Sequence, residues 1–178
     1  VTDKAGETTT FKYDRNHYLT DIIDSRGIKV ARNEYDDNGR LIATIDANGN
    51  RLEFSHDIEG RQDVVTDRLG HSTVYIYDGR GNVISETDAL GNTTLSTYDS
   101  YGNLKTKTDA LGNVTTYNYD AQGNLLSMTN ALGETVNNTY TEKGQLKTIT
   151  SMGVTQFVVD YDNFGNLTNT TDAEGNET

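Results

Sequence analysis

Apolar and polar residues recur along the chain with a period of 21 residues, and each period holds two short segments rich in Thr, Tyr, Val and Leu. Segments of about six or seven such residues have the composition and length of β-strands. The apolar spacing of three and four residues that marks an amphipathic helix does not persist, and Gly and β-branched residues are frequent. The pattern therefore predicts an all-β chain built from paired strands.

Two related phrases separate the predicted strands. The YD turn reads Tyr-Asp-x-x-Gly-Asn, as in Tyr98–Asn103, and the TD turn reads Thr-Asp-x-x-Gly-Asn, as in Thr108–Asn113. Asp at the first position of a type I turn bonds to the backbone that follows it, and Gly at the fourth position takes a positive φ without steric cost. Two strands and two reverse turns in each period of 21 residues predict a ladder of antiparallel β-hairpins.

The repeat defines columns of equivalent residues, and eight copies form a predicted single array over residues 1–178. One residue is added before Tyr35 and one is missing before Gly153, so the spacing is imperfect in two places. His56 stands in the tyrosine column, which is followed by an aliphatic column that includes Leu104. The candidate structural residues are Tyr13, Tyr35, Tyr77, Tyr98, Tyr119, Tyr140, Tyr161, Gly39, Gly60, Gly81, Gly102, Gly123, Gly144 and Gly165.

The odd length of the repeat limits how the turns are built. Side chains along a strand alternate between the two faces of a sheet, so two identical turns would divide the tyrosine column between both faces. Either the TD turn is a four-residue loop, as over Asp109–Gly112, or one strand of each repeat carries a β-bulge. We expect the tyrosines and leucines to share the better protected face, and the face with Lys105, Lys107 and Asn118 to meet solvent.

About sixteen strands placed roughly 4.8 Å apart would form a long ribbon. Open twisted sheets rarely exceed about ten strands without curling. The chain is therefore predicted to coil into a spiral or partial shell.

The composition narrows the function classes. The net charge is −12 and the sequence pI is about 4.5, which disfavours binding to nucleic acid because phosphates require a basic surface. Only 33% of the residues are hydrophobic, yet the regular placing of Tyr and Leu argues against disorder. No apolar run approaches the roughly 20 residues that span a membrane, no signal peptide is visible, and Cys is absent. The chain begins and ends inside the repeat, so we expect a segment of a longer protein.

No residues stand outside the repeat as a catalytic centre. The carboxylates follow the repeat and are explained by the turns, which argues against a glycosidase-like pair. A calcium-binding ladder of these Asp residues is disfavoured, because equivalent residues two strands apart lie roughly 10 Å from each other. His17 and His56 occupy repeat columns, and Gly79 lies in a phosphate-loop-like phrase that no helix follows. We therefore predict no enzyme activity, no cofactor and no metal.

The two repeats over Tyr98–Asn113 and Tyr119–Glu134 carry the motif YDxxGNL…TDxxGN, which resembles the YD (tyrosine-aspartate), or Rhs, repeat family. The resemblance covers essentially the whole chain. Three residues depart from it: Asn130 replaces the second Asp in one copy, and Thr141 and Ser151 replace the first and second Asp in the next copy. The family's Pro after the TD phrase is also absent. The resemblance implies a ribbon of β-hairpins that winds in a spiral and forms a hollow shell in bacterial toxin complexes, polymorphic toxins and teneurins.

The predicted function is a non-catalytic structural segment of such a shell. The resemblance implies that its partners are further repeats of the parent chain and an encapsulated C-terminal toxin domain, in a secreted or cell-surface protein. The alternative is an extracellular adhesin or self-assembling fibre, with carbohydrate or other copies as partners, because the bare strand edges of a ribbon invite pairing.

Overall fold

The computed structural model describes residues 1–178 and contains sixteen β-strands and no helix. The chain divides into two compact units, Val1–Asn92 and Thr93–Thr178. The strands of each unit are antiparallel and lie in the order of the sequence. The predicted all-β hairpin ladder is confirmed, while the predicted coiling and the single array over residues 1–178 stay predictions. No helix here has the length and apolar character needed to cross a membrane.

The first unit contains eight strands, which form four YD hairpins joined by TD turns. Strands are short because a turn phrase interrupts the β-forming residues about every ten positions. These strands are β1 (Thr10–Tyr13), β2 (Leu19–Ile23), β3 (Lys29–Tyr35), β4 (Leu41–Asp46), β5 (Arg51–Asp57), β6 (Gln62–Thr66), β7 (Ser72–Tyr77) and β8 (Val83–Thr87).

The second unit repeats the same plan with eight further strands. Its strands are β9 (Thr93–Tyr98), β10 (Leu104–Thr108), β11 (Val114–Tyr119), β12 (Leu125–Thr129), β13 (Thr135–Tyr140), β14 (Leu146–Ser151), β15 (Val154–Tyr161) and β16 (Leu167–Asp172).

The YD and TD turns have the same backbone geometry. In Asp99–Asn103 and in Asp109–Asn113 the Asp N–H donates to the Asn carbonyl, at 2.9 and 3.0 Å. The Gly N–H donates back to the Asp carbonyl in both turns, at 3.2 and 3.0 Å. The alternative of a longer loop over Asp109–Gly112 is therefore wrong. In both turns the Asp side chain accepts from the backbone N–H groups that follow it and the Gly has a positive φ, so the two turns have the same length.

A β-bulge restores the alternation of side chains in most repeats. Tyr98 lies opposite Leu104, but the next residue, Thr97, lies opposite Thr106, so Lys105 has no partner in the ladder. The bulge alternative of the sequence prediction is thus confirmed. The same shift occurs beside Tyr13, Tyr35, Tyr77, Tyr98, Tyr119, Tyr140 and Tyr161.

The hairpin of the third repeat, in which His56 replaces tyrosine, reaches the same register without a bulge. Asp57 lies opposite Gln62, which leaves a four-residue loop. Here Arg61 takes the positive φ, 52°, while Gly60 does not. The prediction that Gly60 fills the positive-φ position is therefore wrong, because the longer loop moves that position one residue along. The other six candidate glycines have φ between 78° and 90°.

The two irregular copies are also corrected within their hairpins. The residue added before Tyr35 appears as a second type of bulge, in which Val30 has no partner between β2 and β3. The residue missing before Gly153 leaves a two-residue turn, in which Met152 and Gly153 have φ of 51° and 80°. Two positive φ values are typical of a type I′ hairpin. A bulge at Gln156 in β15 follows, so that Ile149 lies opposite Phe157 and the tyrosine of this strand stays on the same face as in the other repeats.

The register places the tyrosine column of each unit on one face of its sheet, as predicted. The bulges correct one detail of that prediction. Lys107 lies opposite Ser96, on the same side as Tyr98, because the extra residue Lys105 reverses the alternation. Asn118 faces the other side, as expected, opposite Ser127.

The sheets have little core, and the two buried residues do not lie on the tyrosine face. Ala43 and Ile45 are 0% and 5% exposed and project from β4 on the opposite face, across from Glu34 and Arg51. Arg51 binds both Glu34 and Glu53, at 2.6 and 2.7 Å, so these long side chains are held on the same face as the two residues. The expectation that the tyrosine face is the better protected is wrong for these strands.

Replacing Gly81 with Ala isolates the conformational requirement of a YD turn. Gly81 has φ +86° and its added Cβ would meet no atom within 4 Å. The variant should therefore lose about 1–2 kcal/mol in the free energy of unfolding, which is the cost of the left-handed conformation for an L residue. Urea unfolding measures this loss.

Gly79, in the same turn, supplies the matched control. It lacks a positive φ, and an added Cβ would meet Arg61 at an ordinary 3.5 Å. Gly79→Ala should leave stability unchanged or raise it by up to about 1 kcal/mol. Equal losses in the two variants would contradict the assignment of the turn.

Candidate functional site: tyrosine latches at the strand bulges

The hydroxyl groups of the tyrosine column join neighbouring repeats. In three copies the tyrosine Oη–H donates to the backbone carbonyl of the leucine that precedes the bulge in the repeat before it. We call this hydrogen bond the tyrosine latch. The latches are Tyr35 to Leu19 at 2.9 Å, Tyr140 to Leu125 at 2.9 Å and Tyr161 to Leu146 at 3.0 Å.

The bulge explains why a hydroxyl donor is useful at this point. A β-bulge leaves one residue unpaired and disrupts the ladder locally. Polar backbone groups that are withdrawn from water need a hydrogen-bond partner. The tyrosine of the following repeat supplies a donor beside the bulge, and its ring packs along the same face. The hydroxyl role explains the choice of Tyr over Phe, which the sequence pattern alone did not reveal.

Asparagine two positions before the tyrosine reinforces the latch in two copies. Asn33 Nδ2 donates to the Leu19 carbonyl at 3.1 Å, and Asn138 Nδ2 donates to the Leu125 carbonyl at 3.0 Å. Each of these carbonyls therefore accepts from both the amide and the tyrosine hydroxyl. The Asn residues that interrupt the aromatic pattern thus have a structural role.

The other tyrosines of the column differ in exposure. Tyr13 is 59% exposed, whereas Tyr77 and Tyr119 are half-buried. Burial raises the pKa of Tyr77, and a hydrogen bond to Asp63 raises it further. Burial also raises the pKa of Tyr119. The column is thus brought onto one face within each unit, and the role of its members as the functional residues of the repeat stays a prediction.

The turn carboxylates are occupied by hydrogen bonds within their own turns. Asp78 Oδ1 accepts from the backbone N–H groups of Arg80 and Asn82, at 2.8 and 3.0 Å, and Oδ2 accepts from Asn82 Nδ2 at 2.9 Å. The Asn82 side chain and then its backbone N–H lower the pKa of Asp78 to about 2. Sequence reasoning explained the Asp and Gly but missed this Asn. Its amide has the largest pKa-lowering effect at Asp46, Asp78, Asp88, Asp99, Asp109, Asp120, Asp162 and Asp172.

The histidines also lie in structural positions. His17 adopts φ 67° at the first YD turn, where other copies have Gly. His71 Nδ1 contacts Asp67 at 3.1 Å within a TD turn, and both side chains are exposed. His56 contacts Asp63 and the Leu41 carbonyl in the tyrosine column. No three His, Asp or Glu side chains lie together in a group that could hold a metal ion.

The family of the chain follows from these repeats. The RHS Repeat model matches residues 35–64, 64–93 and 98–135, which together make up more than half of the chain. The chain belongs to the Rhs repeat family. It is a structural, non-enzymatic repeat segment of an Rhs protein. A comparison with curated protein sequences found no match.

Solved structures with a similar fold include a chain of the Tc holotoxin pore from Photorhabdus luminescens. This Rhs segment is 16% identical to that chain, with a TM-score of 0.56 over 96% of the segment and 12% of the other chain. The segment thus spans about an eighth of its length. A chain of the TcdB2–TccC3–Cdc42 crystal structure is 17% identical to the segment, with a TM-score of 0.36. This match covers 93% of the segment and 14% of the other chain. A porin-like protein from Bacteroides uniformis is 13% identical to the segment, with a TM-score of 0.44. This match covers 97% of the segment and 87% of the porin-like chain.

Removing one latch hydroxyl tests its contribution to stability. Tyr161→Phe should lower the free energy of unfolding by about 1 kcal/mol, because the Leu146 carbonyl loses the donor at 3.0 Å. Tyr140→Phe should cost less, since Asn138 still donates to the Leu125 carbonyl. Urea unfolding of both variants compares them. A larger loss in Tyr140→Phe than in Tyr161→Phe would contradict this account.

The turn carboxylates predict a specific sensitivity to acid. The folded-state pKa of Asp78 lies below the usual 3.8, so its bonds stabilise the fold above that value and are lost as pH falls toward about 2. With the same direction of shift in ten other turns, the urea midpoint should fall steeply between pH 4 and pH 2.

Asp78→Asn provides the comparison, since its side chain cannot ionise. This variant should show a shallower dependence of stability on pH than the unaltered protein over the same interval. An unaltered protein whose urea midpoint stays constant from pH 4 to pH 2 would contradict the role of the carboxylates.

Proposed function

We propose that this Rhs segment forms part of the wall of a β-hairpin shell that encloses a C-terminal cargo or toxin domain of its parent protein. Family membership carries the proposal, and the similarity in fold to a chain of the Tc holotoxin pore supports it. Because the segment spans only 12% of that chain, the wall would need many further repeats. The main partner is therefore the rest of the parent chain.

The way the repeats interact suits a wall that grows by addition. Within each unit, strands contact only the strands next to them in the sequence. Repeat arrays of this kind gain stability from nearest-neighbour interfaces and extend without a new core. The three tyrosine latches each add a side-chain link from one repeat to the repeat before it. A wall of this type holds its shape through local bonds.

The remaining features of the proposal rest on the family resemblance. We infer that both compact units belong to one array over residues 1–178, because the same turns and bulges recur in each. Coiling of this array into a spiral would relieve the twist of a long open sheet. A toxin shell would act outside the producing cell, so we infer a secreted or cell-surface protein.

One observation favours the alternative of a self-assembling fibre. The residue just before the Gly of several TD turns is an exposed leucine. Leu90, Leu111 and Leu132 are each more than 80% exposed. Contiguous exposed apolar patches mark contact sites for other proteins, and leucines at equivalent turns would form such a patch along the edge of a ribbon. An adhesin that binds carbohydrate is the other form of this alternative.

Limited proteolysis of the complete parent protein tests the shell. The domain that follows the repeats should resist protease while it is part of the parent chain, because the wall excludes the enzyme. The same domain expressed alone should be digested at least severalfold faster, as measured by gel electrophoresis over time. Equal rates of digestion would contradict the proposal, and filaments in electron micrographs of the parent protein would favour the fibre.

A further inference from the structure

We propose that His56 forms a pH-dependent latch between the second and third repeats, which is closed when the imidazole ring is protonated. The inference goes beyond the shell function, because it concerns the stability of one position in the wall. It rests on the two hydrogen-bond contacts of the ring, on the side chains around it and on its place in the tyrosine column.

Both ring nitrogens of His56 face groups that accept hydrogen bonds. Nδ1 lies 2.8 Å from Asp63 Oδ1, and Nε2 lies 2.9 Å from the Leu41 carbonyl oxygen. A carbonyl and an ionised carboxylate only accept, and a neutral imidazole has a single N–H. Only the imidazolium form donates to both partners at once. Deprotonation therefore leaves one nitrogen lone pair facing an oxygen lone pair and removes one hydrogen bond.

The neighbouring repeats show what the histidine replaces. Nε2 of His56 reaches the Leu41 carbonyl as the hydroxyls of Tyr35 and Tyr161 reach Leu19 and Leu146. A tyrosine hydroxyl keeps its proton up to a pH of about 10. Those latches are therefore insensitive to pH near neutrality, whereas a histidine latch loses one of its two hydrogen bonds in that range.

The charged and titratable groups around His56 come from the strands on both sides. Asp63 on β6 bonds to the ring, and Arg40, which precedes β4, acts against the positive charge. On β7, Tyr75 lies opposite Asp63 in the ladder and Tyr77 bonds to the Asp63 carboxylate. The negative partner is thus the one in direct contact with the ring.

The balance of these groups raises the pKa of His56 above 6.5. The bond to the Leu41 carbonyl has the largest effect and the bond to Asp63 the next, against burial and Arg40. A group with a raised folded-state pKa contributes stability below its unfolded value of 6.5, and the contribution is lost as pH rises through the folded value. The histidine and aspartate side chains are 24% and 33% exposed, so water weakens the pair without removing it.

Replacing the ring with the tyrosine of the other repeats provides the test. In the unaltered protein, backbone amides of β5 should exchange severalfold faster at pH 8 than at pH 6 after correction for intrinsic exchange. His56→Tyr should abolish this difference, because its hydroxyl does not titrate in that range. His71→Asn, which removes an exposed histidine paired with Asp67, should keep it.

Two results would overturn the proposal. One is an unchanged pH dependence of β5 exchange in His56→Tyr. The other is an NMR titration of the unaltered protein in which the His56 ring has a pKa at or below 6.5. The titration needs no variant, so it decides the matter even where His56→Tyr fails to fold. The acid sensitivity of the turn carboxylates lies well below this pH range and does not interfere.

Discussion

The conflict between an odd repeat length and the two-residue alternation of β-strands governs this structure. A repeat of 21 residues with two identical turns would place successive tyrosines on opposite faces. Seven hairpins resolve the conflict with a bulge beside the tyrosine, and the hairpin of His56 resolves it with a four-residue loop. The bulge and the longer loop both shift the strand pairing by one residue, so the aromatic column of each unit stays on one face of its sheet.

The bulge also creates the need that the tyrosine hydroxyl meets. An interrupted ladder leaves backbone groups that require partners, and Tyr161 supplies one to the Leu146 carbonyl. This matters in a sheet where only Ala43 and Ile45 are buried, because apolar burial alone supplies little stability. Hydrogen bonds in the ladders, the turns and the latches therefore hold much of the fold, with half-buried aromatic rings packed along them.

The turn chemistry and the strand order were predictable from the sequence because Asp, Gly and β-branched residues act through local backbone preferences. The choice between a bulge and a longer loop was not predictable, since either one keeps the tyrosines on the same face of the sheet. Gly60 misled the prediction because Arg61 accepts a positive φ in the longer loop. The latch of Tyr35 on Leu19 escaped it because a contact sixteen residues apart has no signature in either residue alone.

The two-residue turn at Met152 and the bulge at Gln156, which has no partner in the ladder, show how such a chain can accommodate a change in repeat length. In most sheets the loss of one codon within a hairpin would turn the inner side chains outward. Here a bulge at Gln156 compensates for the shortened turn within the next strand, just as the bulge at Val30 absorbs one extra residue. Repeats of this type can thus differ in length by single residues while each face of the sheet keeps its own set of side chains.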